Sequence, residues 1–212
     1  MKTHAKRFLP VLFCCCILLP VLLVGCAGVL SPGPPPVRLQ LSPSVPESMA
    51  QRPLNRQIIV AMPIAARALD ADTIALIFHG REMRVLADAR WAGTVPYMVQ
   101  RSLIAALEAS NAFSGVADES AGIASDVRLI SDIRQFSLHY DAEGAVPAAV
   151  FAATFRLLNL SNGRIMNTRD VDIRVPAQAR DNAALAQAME AALGLGLAEV
   201  TPWVVEGVRS LR

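Results

Sequence analysis

The residue best placed for covalent chemistry is Cys26, whose thiol closes the run Leu23-Val24-Gly25-Cys26. Residues 8–24 before it carry no charge, and Lys2, Lys6 and Arg7 precede them. A basic start, an apolar stretch and a small residue at its end describe a secretory signal peptide. The apolar stretch is shorter than the roughly 20 residues that a bilayer-spanning helix needs. It also holds Pro10 and Pro20, which a helix interior accommodates badly. The junction matches the bacterial lipobox, in which the cysteine thiol takes up a diacylglycerol and cleavage leaves that cysteine as the first mature residue. The thiol is the nucleophile, and the small Gly25 lets the peptidase close on the scissile bond. Residues 1–25 are thus expected to be a lipoprotein signal peptide and Cys26 the lipid attachment site.

Cys14, Cys15 and Cys16 would leave with that peptide, so the mature chain keeps one cysteine, the acylated one. No disulfide framework and no thiol for metal or redox work is then expected. Ala27 follows the cysteine, where an aspartate would favour retention in the inner membrane of a Gram-negative cell. Alanine points to the outer membrane and its periplasmic face. Ser31-Pro32-Gly33-Pro34-Pro35-Pro36 reads as a stiff, extended spacer. The stretch 27–36 can reach at most ~35 Å. Residues 26–36 are expected to form this tether and 37–212 a single domain.

Elsewhere the chemistry is sparse. His4 lies in the signal peptide, and His79 and His139 fall on separate predicted strands without a neighbouring ligand, whereas metal sites cluster their ligands. Asp70 and Asp72 fit a polar, solvated turn. Ser110 and Ser114 lack a nucleophile elbow, and no glycine-rich phosphate loop follows a strand. Neither an enzyme nor a bound cofactor is expected. Removing Lys2, Lys6 and Arg7 leaves 17 basic against 18 acidic residues, a balance that gives nucleic-acid binding no support. Every cation after Arg7 is arginine. No second apolar stretch reads as long enough to cross a membrane.

The positioning elements follow from periodicity. Strands are predicted over 37–41, 57–62, 73–79 and 83–86, the last two as a hairpin. A helix is predicted over 94–110, capped by Thr94 with Pro96 in its first turn. Its buried stripe is Val95, Met98, Val99, Ser102, Leu103, Ala106 and Leu107. Over 126–140 the apolar phase runs Val127, Leu129, Ile133 and then shifts to Phe136, Leu138, Tyr140, the signature of a β-bulge. Residues 148–159 put Ala149, Phe151, Ala153, Phe155 and Leu157 on one face. A strand over 164–175 follows, joined through Asn162-Gly163, a dipeptide suited to positive φ in a hairpin. Asp181 or Asn182 caps a second helix with the stripe Leu185, Met189, Leu193, Leu197, Val200. Gly194 and Gly196 read as close packing against the sheet, and Pro202 kinks or ends the helix. The sum is an α/β fold with a mixed, mainly antiparallel sheet and two helices on one face.

"LDADTIALIF", "DARWAGTVPYMVQRSLIAALEASNAFSGV" and "LISDIRQFSLHYDAEGAVPAAVFAATFRLLN" resemble the ABC-type transport auxiliary lipoproteins, the PqiC-like family. Leu69-Asp70 and Ala89-Arg90-Trp91 fill that family's places, and the likeness spans about 37–205. The first strand has Val37-Arg38-Leu39 where the family often has an aromatic residue. Gly93 stands where an acidic residue is common, leaving the capping to Thr94. The resemblance implies a fold similar to the N-terminal domain of the TolB translocation protein. It also implies an outer-membrane lipoprotein that docks the periplasmic MCE-domain subunit of a transporter, with its permease and ATPase, as a homo-oligomer. The cargo would be lipids or other hydrophobic molecules. A free-standing periplasmic lipid-binding or envelope-assembly lipoprotein is the alternative. Trp91 is singled out as an interface anchor, since tryptophan is enriched at binding hot spots, or else as a core residue stapling the start of the first helix.

The anchor is directly testable. Cys26→Ser should abolish metabolic labelling with palmitate and leave the precursor uncleaved. Labelling of the substituted protein, together with its fractionation into membranes, would overturn the assignment.

Overall fold

The computed structural model describes residues 35–44 and 53–211. Among them, nine strands and two α-helices follow in chain order. The first part comprises β1 (Val37–Leu39), β2 (Gln57–Val60), β3 (Ile64–Ala65), β4 (Thr73–Phe78), β5 (Glu82–Trp91) and α1 (Val95–Ala109). The second comprises β6 (Gly115–Asp118), β7 (Val127–Tyr140), β8 (Ala148–Asn159), β9 (Arg164–Pro176) and α2 (Asn182–Arg209). The expected Cys26 site and most of the proline spacer lie outside the described residues.

The 14-residue strand β7 organises the sheet. One of its edges carries β8 in a long antiparallel ladder, and β9 continues that meander. The other edge is shared. Val127–Leu129 pairs with β2, Asp132 and Ile133 pair with β3, and Ser137–Tyr140 pairs with β4, all in parallel. β6 then extends the β2 branch, while β5 and β1 extend the β4 branch. The sheet is therefore forked and mixed. Its parallel pairings are short and numerous, so the expectation of a mainly antiparallel sheet holds for the β7–β8–β9 ladders and the β4–β5 hairpin but not for the other strands. The β7–β8 register slips between Ile133 and Gln135, leaving Arg134 as the extra residue, where the apolar phase shifts. At the strand's start, Asp126 accepts from the Gln57 backbone N–H at 3.0 Å and from Arg56 at 2.9 Å. These donors, the Gln57 N–H foremost, hold its carboxyl below the usual carboxylate range.

Both helices share one core with the inward side chains of the sheet. All seven residues of the expected α1 stripe are buried, and so are Gln100 and Ile104. The Gln100 amide donates to the Val60 carbonyl at 3.0 Å, which satisfies a buried polar group and ties α1 to the end of β2. Thr94 occupies the N-cap with extended backbone, yet its hydroxyl makes no capping bond. Pro96 stands at the second helical position and has no N–H to offer it. By contrast the Asp181 carboxylate caps α2 by accepting from Ala183 and Ala184.

α2 runs 28 residues, through Pro202 rather than ending there, and its stripe continues to Val204 and Val208. Its length and apolar character would suffice to cross a bilayer, contrary to the expectation above. That stripe instead covers β8 and β9. The two glycines of its middle turns do different things. A Cβ on Gly196 would lie 2.6 Å from the Phe151 ring, so only glycine lets the helix approach the sheet this closely. Gly194 faces Ser44 and Pro43, not the sheet, at ordinary van der Waals distance. Gly207 makes a second close approach, to Leu157. Strand β8 also departs from simple alternation, because Ala148, Val150, Ala152 and Thr154 on its other face are buried too.

These contacts give opposite signs for two similar substitutions. Alanine gains up to ~1 kcal/mol of helix propensity over glycine, whereas overpacking a core costs about 1–3 kcal/mol. Gly196→Ala should lower the urea midpoint, while Gly194→Ala should leave it unchanged or raise it. Equal effects would refute the close-approach role of Gly196.

Candidate functional site

Residues 37–42, in the first described segment, are stitched down at several points. β1 lies parallel to β5 with Val37 beside Ala89 and Leu39 beside Trp91. The Leu39 carbonyl accepts from the Ala92 N–H at 2.7 Å. Arg38 donates to Asp72 at 3.4 Å and to the Trp91 carbonyl at 3.3 Å. The Arg38–Asp72 pair is well exposed and adds little stability by itself. Leu41 enters the core, and the Ser42 N–H donates to the Glu190 carboxylate at 3.0 Å. The chain thus leaves the sheet edge and crosses to α2.

A groove opens on either side of Ser42. One, of about 430 Å³, runs between this segment and α1, with Tyr97, Met98, Arg101 and Ala105 on its wall. The other, of about 550 Å³, runs along α2 past Ala191, Gly194, Leu195 and Ala198. Tyr97 and Leu195 are half exposed, at 51% and 54%. Such side chains give large contact area to a binding partner, and tyrosine adds a polar tip. A third, smaller groove of about 210 Å³ sits between the β4–β5 hairpin and residues 66–69. There the Ser137 hydroxyl lies 3.0 Å from the His139 Nε2 atom. Burial, reinforced by Arg174, pushes the imidazole below its usual range, which favours the neutral ring.

Among the described residues no group of three or more His, Cys, Asp or Glu is placed to hold a metal. His79 sits in the β4–β5 turn at a φ of 50°, and Asp72 is engaged by Arg38. Neither Tyr97 nor Leu195 was marked by the sequence, because each is a single apolar residue on a helix face otherwise unremarkable in composition.

Trp91 needs correction as an interface anchor, for it is 1% exposed. Its ring lies 5.9 Å from that of Phe136, which meets Phe151 edge-on at 6.0 Å. Its indole N–H is buried without an acceptor among the described residues. Trp91 therefore belongs to the core beneath the start of α1, and it can reach no partner without unfolding β5.

The distinction is measurable. Trp91→Ala should destabilise the domain by ~3–5 kcal/mol, the usual cost of emptying a large aromatic site. Tyr97→Ala should change stability by no more than about 0.5 kcal/mol, as expected at an exposed position. Urea denaturation would separate them, and similar losses for both would contradict these placements.

The comparisons with known proteins fit this architecture. The crystal structure of protein XCC0632 from Xanthomonas campestris, of the DUF330 family, is similar at 29% identity with a TM-score of 0.74. The match covers 82% of this chain and 97% of that one. A crystal structure of an uncharacterized protein, 15% identical, shares the fold with a TM-score of 0.64, over 81% of this chain and 99% of its own. No curated protein matches the chain. The family model of the ABC-type transport auxiliary lipoprotein component matches residues 39–200, and the chain belongs to that family.

Proposed function

We propose that this protein is held at the periplasmic face of the outer membrane by a lipid on Cys26 and docks the periplasmic part of an ABC-type transporter. The partner is the transporter's MCE-domain subunit, working with its permease and ATPase, and the cargo is a lipid or another hydrophobic molecule. The protein acts as a homo-oligomer and performs no catalysis of its own. One observation carries this reading. A lipobox is followed, after a spacer of ten residues, by a unit matched from residue 39 by the model of transport auxiliary lipoproteins. A stiff tether on a domain with exposed apolar side chains is suited to holding a partner at a fixed distance from the membrane.

The grooves beside Ser42 favour a second reading, a free-standing lipoprotein that binds lipid itself. Genetics separates the two. Deleting the gene should reproduce the detergent or solvent sensitivity caused by deleting the transporter's ATPase, and the double deletion should be no worse. An additive defect would favour the free-standing protein. Affinity purification from native membranes should recover the MCE subunit with the lipoprotein and should lose it on Cys26→Ser.

A further inference from the structure

Asn162-Gly163 is the one Asn-Gly pair in the chain. It occupies the tip of the β8–β9 hairpin, where both residues are exposed. The loop spans four residues between the paired Asn159 and Arg164, and only Gly163 adopts positive φ, at 68°. An asparagine followed by glycine is prone to cyclise, because no Cβ on the following residue obstructs ring closure. Here both reacting groups are engaged. The Gly163 N–H donates to the Asn159 carbonyl at 2.9 Å. The Asn162 side-chain oxygen accepts from the Arg164 N–H at 3.0 Å. The first bond holds the nucleophilic nitrogen toward the preceding strand, and the second holds the amide toward the following one.

We propose that Asn162 is a latent deamidation site that the folded hairpin keeps closed. In the open state the Gly163 backbone nitrogen loses its proton to water and bonds to the Asn162 Cγ. The side-chain nitrogen takes up a proton and leaves as ammonia, giving a succinimide. Water then adds to one of the two ring carbonyls and opens the ring to aspartate or isoaspartate. Either product puts a negative charge at the tip beside Arg164. Isoaspartate also inserts a methylene into the backbone, so the loop between Asn159 and Arg164 cannot return to its original length. A copy that has spent time unfolded is thereby chemically marked and refolds with a defective hairpin.

The test uses the mature lipoprotein in detergent, incubated in mildly alkaline buffer either folded or unfolded in urea. Cleavage after Arg156 and after Arg164 then releases residues 157–164. Mass spectrometry and isoaspartyl methylation follow conversion at Asn162, with Asn159 in the same peptide as an internal control. Conversion should be confined to Asn162 and should run about thirtyfold faster in the unfolded chain, the factor expected from opening two ordinary hydrogen bonds. Equal rates in the two states, conversion at Asn159 instead, or none in the unfolded chain would each overturn the proposal.

Discussion

The architecture depends on the single extra residue at Arg134. Side chains alternate along a strand, so one inserted residue moves every later side chain to the opposite face. Without it, Val127, Leu129 and Ile133 would point inward while Phe136, Leu138 and Tyr140 pointed out. With it, the same face stays buried along β7, apolar except for Ser131. Phe136 then stands between Trp91 of β5 and Phe151 of β8. The aromatic row joins the branch that carries β1 to the strands that carry α2. The row ends at Gly196, where the Phe151 ring leaves no room for a Cβ. The bulge also bends the strand, and this lets one edge of β7 serve β2 and β3 along its first half and β4 along its second.

Arg134 also closes the polar side of its own bulge. Its guanidinium donates to the Thr154 hydroxyl at 3.1 Å and to Asp170 at 2.8 Å, while Thr154 itself donates to Asp170 at 2.6 Å. The Thr154 hydroxyl, with Arg134 beside it, holds the Asp170 carboxyl below its usual range. This network spans β7, β8 and β9 where the ladder is irregular. It also places the Asp170 charge on β9, which among the described residues pairs with β8 alone, and charges on an edge strand disfavour pairing with other chains.

What the sequence made legible was whatever repeats along the chain. The stripes of α1 and α2, the phase shift in β7 and the inward face of β8 were each visible as a period, and each is buried in the structure. Strands β3 and β6 were not predicted, because two or four residues show no period, and their pairing with β7 and β2 comes from distant segments. Parallel pairing of β4 with β7 is equally non-local. Thr94 shows the limit of a motif read alone: the residue type was right for a cap, but Pro96 removes one of the two N–H groups such a cap can bond, and the hydroxyl makes no bond to the other. Gly194 and Gly196, two residues apart on a helix, face different neighbours, and only the packed structure could tell which one touches the sheet.

The same contrast governs the candidate site. The reading of Cys26 rests on four consecutive residues and a charge pattern, because an acylation signal must be recognised in an extended, unfolded precursor. A docking surface is recognised only after folding, so its residues need no common stretch of sequence. Tyr97 and Leu195 come from different helices and line separate grooves on either side of Ser42. Trp91 is the opposite case, and of its two readings the core staple is the one its burial fits. Its residue type suggested an interface, yet its neighbours Ala89 and Leu39 are themselves inward, and a large apolar ring in that position is worth more to the core than to a partner. The division runs through the helices themselves: ladder pairing and the Ala92 to Leu39 bond fix β1 against β5 over the core, while Tyr97 and Leu195 stay exposed on the outer faces of α1 and α2.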